Sequence, residues 1–217
     1  MIGDYAIVPV REFAATKLRL KDDLSSEQRV SLTSTLLKRV VRAIERSQIE
    51  RTVIVASDTS EAKSCLQEFS KITVVSEDSY HNGVNKAMNT GIDFAVSKGA
   101  RTIALLPSDL PLITHSRIDD AVDLLQRYEL VMNPSLKRDG TNFLAMKSSL
   151  KFQLHYDDDS FVKHSAEAKR RHLNFQLLDW QEFSIDLDDA SDLERAMEFY
   201  KSRSFDDFLD NVSTKEI

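Results

Sequence analysis

In Thr102–Thr114 (TIALLPSDLPLIT), an apolar run from Ile103 to Leu106 is closed by Pro107, and Asp109 stands two residues further on. A short, continuous apolar run bounded by proline reads as a buried strand. Asp109 then lies just past the carboxyl end of a strand, where open α/β sheets bind their ligands. A carboxylate at that place suits a hard cation such as Mg2+, which takes oxygen ligands. The competing reading of Asp109 is a solvated turn residue that caps the next helix. Directly after the first apolar run, Tyr5–Val10, come the cations Arg11, Lys17 and Arg19. At the same sheet edge as Asp109 they suit a polyphosphate, because charge-assisted contacts to phosphate are strong; otherwise they form a solvated basic loop. No GxxxxGK[ST] and no GxGxxG follows that strand, so a phosphate site must be built from side chains and loop N–H groups.

Four further segments carry candidate groups. Gly83–Met88 (GVNKAM) opens a helix. Gly83 permits close backbone approach, Asn85 is able to read a base edge, and a helix N-terminus favours anions; the same residues also make an ordinary glycine-started helix. Asp139–Asn142 (DGTN) reads as a turn whose Gly140 and Thr141 offer N–H groups and a hydroxyl to an anionic substrate. Tyr156–Phe161 (YDDDSF) precedes a helix capped by Asp159 or Ser160, and its three aspartates read as solvated caps rather than metal ligands. In Ile185–Asp189 (IDLDD), alternation puts Asp186 and Asp188 on one face of a strand. One of them would complete a metal site with Asp109, unless Asp188 or Asp189 serves to cap the last helix.

The elements that must position these groups follow from hydrophobic periodicity. Strands are expected at Tyr5–Val10, Val53–Ser57, Ile72–Val75 and up to Asp109. Helices are expected from Ser25 (with a Ser25/Gln28 capping box and a stripe of Val30, Leu36, Leu37, Val40, Val41 and Ile44), at Ser60–Phe69, Gly83–Ser97 and Ser116–Tyr128. Alternating strands and helices imply a mostly parallel sheet with helices on both faces. Beyond Leu130 the pattern is mixed. Strands are expected at Leu130–Asn133, Phe143–Met146, Phe175–Leu178 and Phe183–Leu187, with helices at Ser160–His172 and from Ala190 to about Arg203. The expected organisation is one domain over residues 1–201, with a parallel nucleotide-binding half (1–128), a mixed acceptor-binding half (129–201) and a polar tail (202–217).

Composition narrows the class. The chain has 217 residues, 41% hydrophobic, with a net charge of -6, enough for a sizeable core and unlike a nucleic-acid binder. A local basic cluster, Lys163/Lys169/Arg170/Arg171, suits at most a small phosphorylated ligand. One cysteine, Cys65, excludes a disulfide framework; at helical spacing with Ala62, Leu66 and Phe69 it reads as core. His81, His115, His155, His164 and His172 lack zinc-ligand spacing and read as surface residues or supports behind a site. No apolar stretch approaches the ~18 residues of a membrane span, and the N-terminus does not read as a signal peptide. The expectation is a cytoplasmic protein with no membrane or nucleic-acid partner. Amphipathic helices and apolar tail residues leave room for a homodimer.

In order along the chain, PVREFAATKLRL (Pro9–Leu20), LSSEQR (Leu24–Arg29), GVNKAM, LLPSDLPLI (Leu105–Ile113), GTN (Gly140–Asn142), DSFVKHSAEA (Asp159–Ala168) and IDLDDASDL (Ile185–Leu193) resemble the 2-phospho-L-lactate guanylyltransferase family over Val8–Leu193. The resemblance implies a nucleotide-diphospho-sugar-transferase-like α/β fold, with a mostly parallel, mixed sheet flanked by helices. It implies a reaction of GTP with 2-phospho-L-lactate that gives lactyl-2-diphospho-5'-guanosine and pyrophosphate on the route to coenzyme F420. Phosphoenolpyruvate or 3-phosphoglycerate are the acceptors in similar relatives. Carried over by position, Pro9, Val10, Arg11, Lys17, Gly83, Asn85 and Pro107 would line the nucleotide, with Lys17, Arg11 and Asp109 catalytic. Asp109 and Asp188 would bind Mg2+, and Thr141 and Ser160 would hold the phosphorylated acid. The chain departs from the family at Asp157–Asp159, where the usual pattern is glycine-rich. Other acceptors (a sugar phosphate, molybdopterin) or a non-catalytic nucleotide-binding role would suit the same residues.

Overall fold

The computed structural model describes residues 3–77 and 83–201. Strand β1 (Gly3–Val10) is followed by helix α1 (Ser26–Arg46), β2 (Arg51–Ala56), α2 (Thr59–Cys65), β3 (Ile72–Ser76), α3 (Gly83–Ser97), β4 (Ala100–Leu105) and α4 (His115–Asp123). Next come β5 (Leu130–Pro134), β6 (Thr141–Lys147), α5 (Ser160–Arg170), β7 (Phe175–Leu177), α6 (Gln181–Ser184) and α7 (Ala190–Lys201). All seven strands form one sheet, in the order β3-β2-β1-β4-β6-β5-β7. β1 to β4 are mutually parallel, with Ile7 opposite both Val53 and Leu105. β6 runs antiparallel to β4 and β5, and β7 runs parallel to β5.

Each face of the sheet buries an apolar layer. On one side Val40 and Ile44 of α1, Ile118 of α4 and Phe183 of α6 cover Ala6, Val8, Ile54 and Phe143. On the other, Met88 and Ala95 of α3 and Ala168 of α5 cover Ile7, Val55, Leu105 and Leu144. Full burial of such a side chain contributes roughly 1.5–3 kcal/mol, so these layers hold the sheet edge rigid. α1 begins as its sequence requires: the Ser25 hydroxyl accepts the Gln28 N–H, and the Gln28 side chain accepts the Ser25 N–H.

α3 lies close against β1 and β2 because Gly91 carries no side chain. A Cβ there would meet Ile7 Cγ2 at 2.4 Å and Val55 Cγ2 at 3.0 Å. Gly91→Ala is therefore expected to destabilise the protein by about 2 kcal/mol, although alanine favours an isolated helix by about 1 kcal/mol. Urea unfolding of the two proteins measures the difference.

Several expectations change. Phe183–Leu187 is not a strand: α6 ends at Ser184, and the segment after it makes no ladder. Phe183 stacks on Phe143 with ring centroids 4.3 Å apart, so packing of the aromatic ring overrides the alternating pattern. Asp186 and Asp188 consequently lie in a loop rather than on one strand face. α2 ends at Cys65, which is half-buried, α4 gives way to a 3-10 turn at Leu124–Gln126, and α5 stops at Arg170. Asp159 is the N-cap of α5 by position, in a left-handed conformation (φ 55°), but its side chain makes no capping bond. The tail 202–217 and part of the loop at Ser76–Asn82 lie outside the described residues.

One irregularity matters for the site. Pro134 faces Thr141 whereas Asn133 faces Phe143, so Asn142 is an extra residue on β6, a β-bulge. Phe143 and Ala145 point to the α1 side, Leu144 and Met146 to the α3 side. Unbroken alternation would send Thr141 to the α1 side and Asn142 to the α3 side. The bulge exchanges them.

Candidate functional site

β1 to β4 point the same way, so Val10 and Leu105 end at one edge of the sheet, and antiparallel β6 begins there with Thr141. Lys17 stands after β1 in a left-handed conformation, φ 54° and ψ 33°. For a residue with a Cβ this costs of order 1 kcal/mol and persists only where the surroundings impose it. Here they do. Before it, the Glu12 N–H donates to the Ser57 hydroxyl (2.8 Å), the Phe13 N–H to Glu61 (2.9 Å) and the Thr16 hydroxyl to the Phe13 carbonyl (2.8 Å). After it, Leu20 packs with Leu36 and Leu187.

So held, the Lys17 ammonium donates to the Asp109 carboxylate and, at 3.3 Å, to Asp188 Oδ1. The Arg19 guanidinium lies 3.8 Å from Asp188 Oδ2. Burial works against the Lys17 charge, but Asp109 and Asp188 outweigh it and hold its pKa above the ordinary lysine value. Asp188 is placed by the start of α7, where its own N–H and that of Asp189 donate to Asp192 Oδ2 (3.1 and 3.0 Å). Helix capping falls to Asp189, which accepts the Ser191 and Asp192 N–H groups, while Asp188 faces Lys17. The Leu187 N–H donates to the Asp109 carbonyl at 3.1 Å, which ties the two acidic loops together.

Asp186 adds a third carboxylate. It accepts the Asn142 amide at 3.1 Å, and burial, followed by the charges of Asp109 and Asp188, pushes its pKa up to about 6 against the pull of that hydrogen bond. Among the described residues no three His, Cys, Asp or Glu groups form a metal cage. The pair Asp109 and Asp188 nonetheless fits Mg2+ by donor chemistry. The two oxygen donors already share one cation, Lys17, and Mg2+ characteristically takes one or two carboxylates and fills its remaining positions with water and phosphate oxygens.

The remaining expected residues fall on this edge in two groups. Arg11 is exposed directly beyond β1, Pro9 and Pro107 are half-buried, and Val10 is buried with its carbonyl accepting the Ser57 N–H at 3.1 Å. Gly83, with φ +69°, opens α3 and is exposed. The Asn85 side-chain Oδ1 accepts the Tyr156 N–H at 2.6 Å, which leaves its amide N–H2 as the donor end. On the far side of β4, Thr141 and Ser160 come together: the Ser160 hydroxyl donates to Thr141 Oγ1 at 3.3 Å, and both residues are buried. The aspartates before Ser160 are exposed, and Asp157 pairs with Lys163 at 3.2 Å.

The family model described as "Guanylyl transferase CofC like" matches residues 4–215. The chain belongs to that family. Among curated proteins it is 31% identical over 187 residues to 2-phospho-L-lactate guanylyltransferase of Methanocaldococcus jannaschii, a match covering 86% of this chain and 79% of the relative. It is 29% identical over 190 residues to phosphoenolpyruvate guanylyltransferase of Sphaerobacter thermophilus, covering 87% and 90%. A structure described as a nucleotide-diphospho-sugar transferase from Desulfovibrio desulfuricans G20 superposes with a TM-score of 0.78 at 18% identity, over 94% of this chain and 90% of that one. A cytidylyltransferase from Leptospira borgpetersenii superposes with a TM-score of 0.60 at 14% identity, over 100% and 99%. The sheet flanked by helices is therefore the nucleotide-diphospho-sugar-transferase fold anticipated above.

In this chain, sequence reasoning missed Asn142 behind the site and left His164 open between a surface residue and a support. Asn142 reaches the Ser184 carbonyl and Asp186, both at 3.1 Å; no pattern announces it, because its direction is set by the bulge. His164 is fully buried and lies 3.0 Å, through Nδ1, from Thr141 Oγ1. A signal for it did exist: Ser160 and His164 are four apart on α5, and so share a helix face.

Proposed function

We propose that this protein transfers the guanylyl group of GTP to 2-phospho-L-lactate, forming lactyl-2-diphospho-5'-guanosine and pyrophosphate in the biosynthesis of coenzyme F420. The observation that carries the reading is the Lys17 ammonium enclosed by Asp109 and Asp188 at the carboxyl edge of the sheet, on the same edge as the Thr141 and Ser160 hydroxyls. One phosphate oxygen of the acid attacks the α-phosphorus of GTP, the bond to the β-phosphate oxygen breaks, and pyrophosphate leaves. The attacking oxygen is already ionised at neutral pH, so no general base is needed. The work left to the protein is alignment and charge neutralisation.

Lys17, its pKa held above the ordinary lysine value, and the exposed Arg11 offset charge on the leaving pyrophosphate. Pro9, Val10, Gly83, Asn85 and Pro107 line the nucleotide, and Thr141 and Ser160 hold the acid. Mg2+ held by Asp109 and Asp188 would supply additional charge neutralisation at the phosphates. The reaction belongs in the cytoplasm, where GTP is available. A second acceptor, phosphoenolpyruvate, is supported by the Sphaerobacter relative, whose identity to this chain is almost the same.

Pyrophosphate release by the purified protein, with GTP and Mg2+ and one acid per well, tests the reading. Release with GTP and phospholactate, and none with ATP or CTP, is the expected result. Release with phosphoenolpyruvate or 3-phosphoglycerate alone renames the acceptor. Silence in every well from folded protein moves the function to a sugar-phosphate or molybdopterin acceptor or to nucleotide binding without catalysis. Omission of Mg2+ is expected to abolish release.

A further inference from the structure

His164 is the one buried histidine among the described residues, and its two ring nitrogens have different partners. The backbone N–H of His155 donates to Nε2 at 2.8 Å. An amide N–H has no lone pair and can only donate, so Nε2 must be the unprotonated nitrogen and Nδ1 must carry the hydrogen. Nδ1 lies 3.0 Å from Thr141 Oγ1, so that bond runs from the imidazole to the hydroxyl oxygen. Thr141 Oγ1 also accepts the Ser160 hydroxyl at 3.3 Å. A hydroxyl oxygen has two acceptor positions and one hydrogen. Both acceptor positions are taken, and the Thr141 hydrogen is left to donate to a further partner.

The ring cannot easily change this arrangement. Tyr156 meets it edge-on with centroids 4.9 Å apart, Phe152 lies at 5.8 Å and the His155 ring at 5.9 Å. Burial first, and then the neighbouring His155, lower the His164 pKa to about 4, against a weaker opposing pull from Asp157, so the imidazole is neutral at working pH.

We propose that His164 is a positioning residue: locked in its Nδ1–H tautomer by the His155 backbone, it makes the Thr141 hydroxyl an obligate hydrogen-bond donor to the anionic phosphorylated acid. The assignment rests on the guanylyl-transfer reading of the site. It also gives the two hydroxyls expected to hold the acid different parts: Ser160 orients Thr141, and Thr141 contacts the anion.

Two substitutions separate the two bonds. His164→Asn keeps an amide near the Nδ1 position, able to donate to Thr141, and loses the acceptor for His155. His164→Gln reaches the Nε2 position, satisfies His155 and leaves Thr141 without its donor. A hydroxyl that no longer donates reliably to a charged acceptor is expected to weaken binding by about tenfold. The expected result is an approximately tenfold higher KM for the acid in His164→Gln, with KM for GTP unchanged and with KM for the acid near the wild-type value in His164→Asn. Equal KM values for the acid in all three proteins, or parallel rises for acid and GTP in both variants, would overturn the proposal.

Should either variant fail to fold, the tautomer is read on the wild-type protein from two-bond couplings of the imidazole nitrogens by NMR at pH 7. Protonation of Nδ1 in the buried histidine supports the assignment and protonation of Nε2 sinks it. That measurement needs no turnover, so failure of the tautomer and failure of the guanylyl-transfer reading are separately visible.

Discussion

Asp109→Asn is expected to lower kcat by about 10^3-fold or more while leaving stability within about 1 kcal/mol of wild type. The large effect on activity follows from position. Asp109 lies just beyond β4 at the sheet edge, and its carboxylate is shared with the Lys17 ammonium. Asparagine keeps the shape and removes the charge that orients the ammonium and that would complete the proposed cation site with Asp188. The small effect on stability follows from two opposed changes. The Lys17 pair with Asp109 is lost, but Asp188 still lies 3.3 Å from the ammonium, and Asp186 is relieved of a like charge that helps push its pKa to about 6. Single-turnover kinetics beside thermal unfolding tests both halves. Normal turnover with an unchanged melting temperature would remove Asp109 from the reaction.

Lys17→Met is expected to cost about 10^2- to 10^4-fold in kcat/KM for GTP, and in addition to destabilise the fold by about 1–2 kcal/mol at neutral pH. The Lys17 side chain is 5% exposed, against 20% for Asp109 and 45% for Asp188. Its removal leaves the carboxylates of Asp109 and Asp188, with Asp186 beside them, facing one another around an apolar chain. The stability cost is placed well below that of a fully buried pair because Asp188 is screened by water. Its pH dependence has a definite sign. The Lys17 pKa is raised on folding, so its contribution is fully present below the unfolded lysine value of 10.5 and is lost as pH rises through the higher folded value. On the acid side Asp186, whose pKa is pushed up to about 6, takes up a proton and removes one of the negative charges beside the ammonium. Urea unfolding of both proteins at pH 4 and pH 8 should show the larger gap at pH 8. An equal gap at both values would mean that the cost arises from packing rather than charge.

Much of this was readable from residues alone because it depends on local rules. A buried parallel strand needs a continuous apolar run, so YAIVPV, VIVAS and TIALL declared themselves. The Ser25/Gln28 box is a property of four consecutive residues, and it forms as expected. Once the order of strands and helices is known, a parallel sheet brings the ends of β1 and β4 to one edge, and Lys17 and Asp109 with them. Other features were not local. FSIDLD (Phe183–Asp188) has a strand's alternation, yet Phe183 turns inward and stacks on Phe143. The segment becomes a short helix and a loop.

The sequence by itself determined that this is an α/β chain with a carboxylate and a basic loop at one sheet edge, and its ordered motifs pointed to the guanylyl transferase family. Only the tertiary structure decided which groups touch. Lys17 sits between Asp109 and Asp188 because the β1 loop is forced into a left-handed turn by anchors from α2 and the β2–α2 junction on one side and from α1 and the loop before α7 on the other. Thr141 meets His164 because one extra residue in β6 reverses the direction of two side chains. Both contacts join residues far apart in the chain. Their geometry is fixed by how strands and helices pack together, and nearest-neighbour patterns carry no record of it.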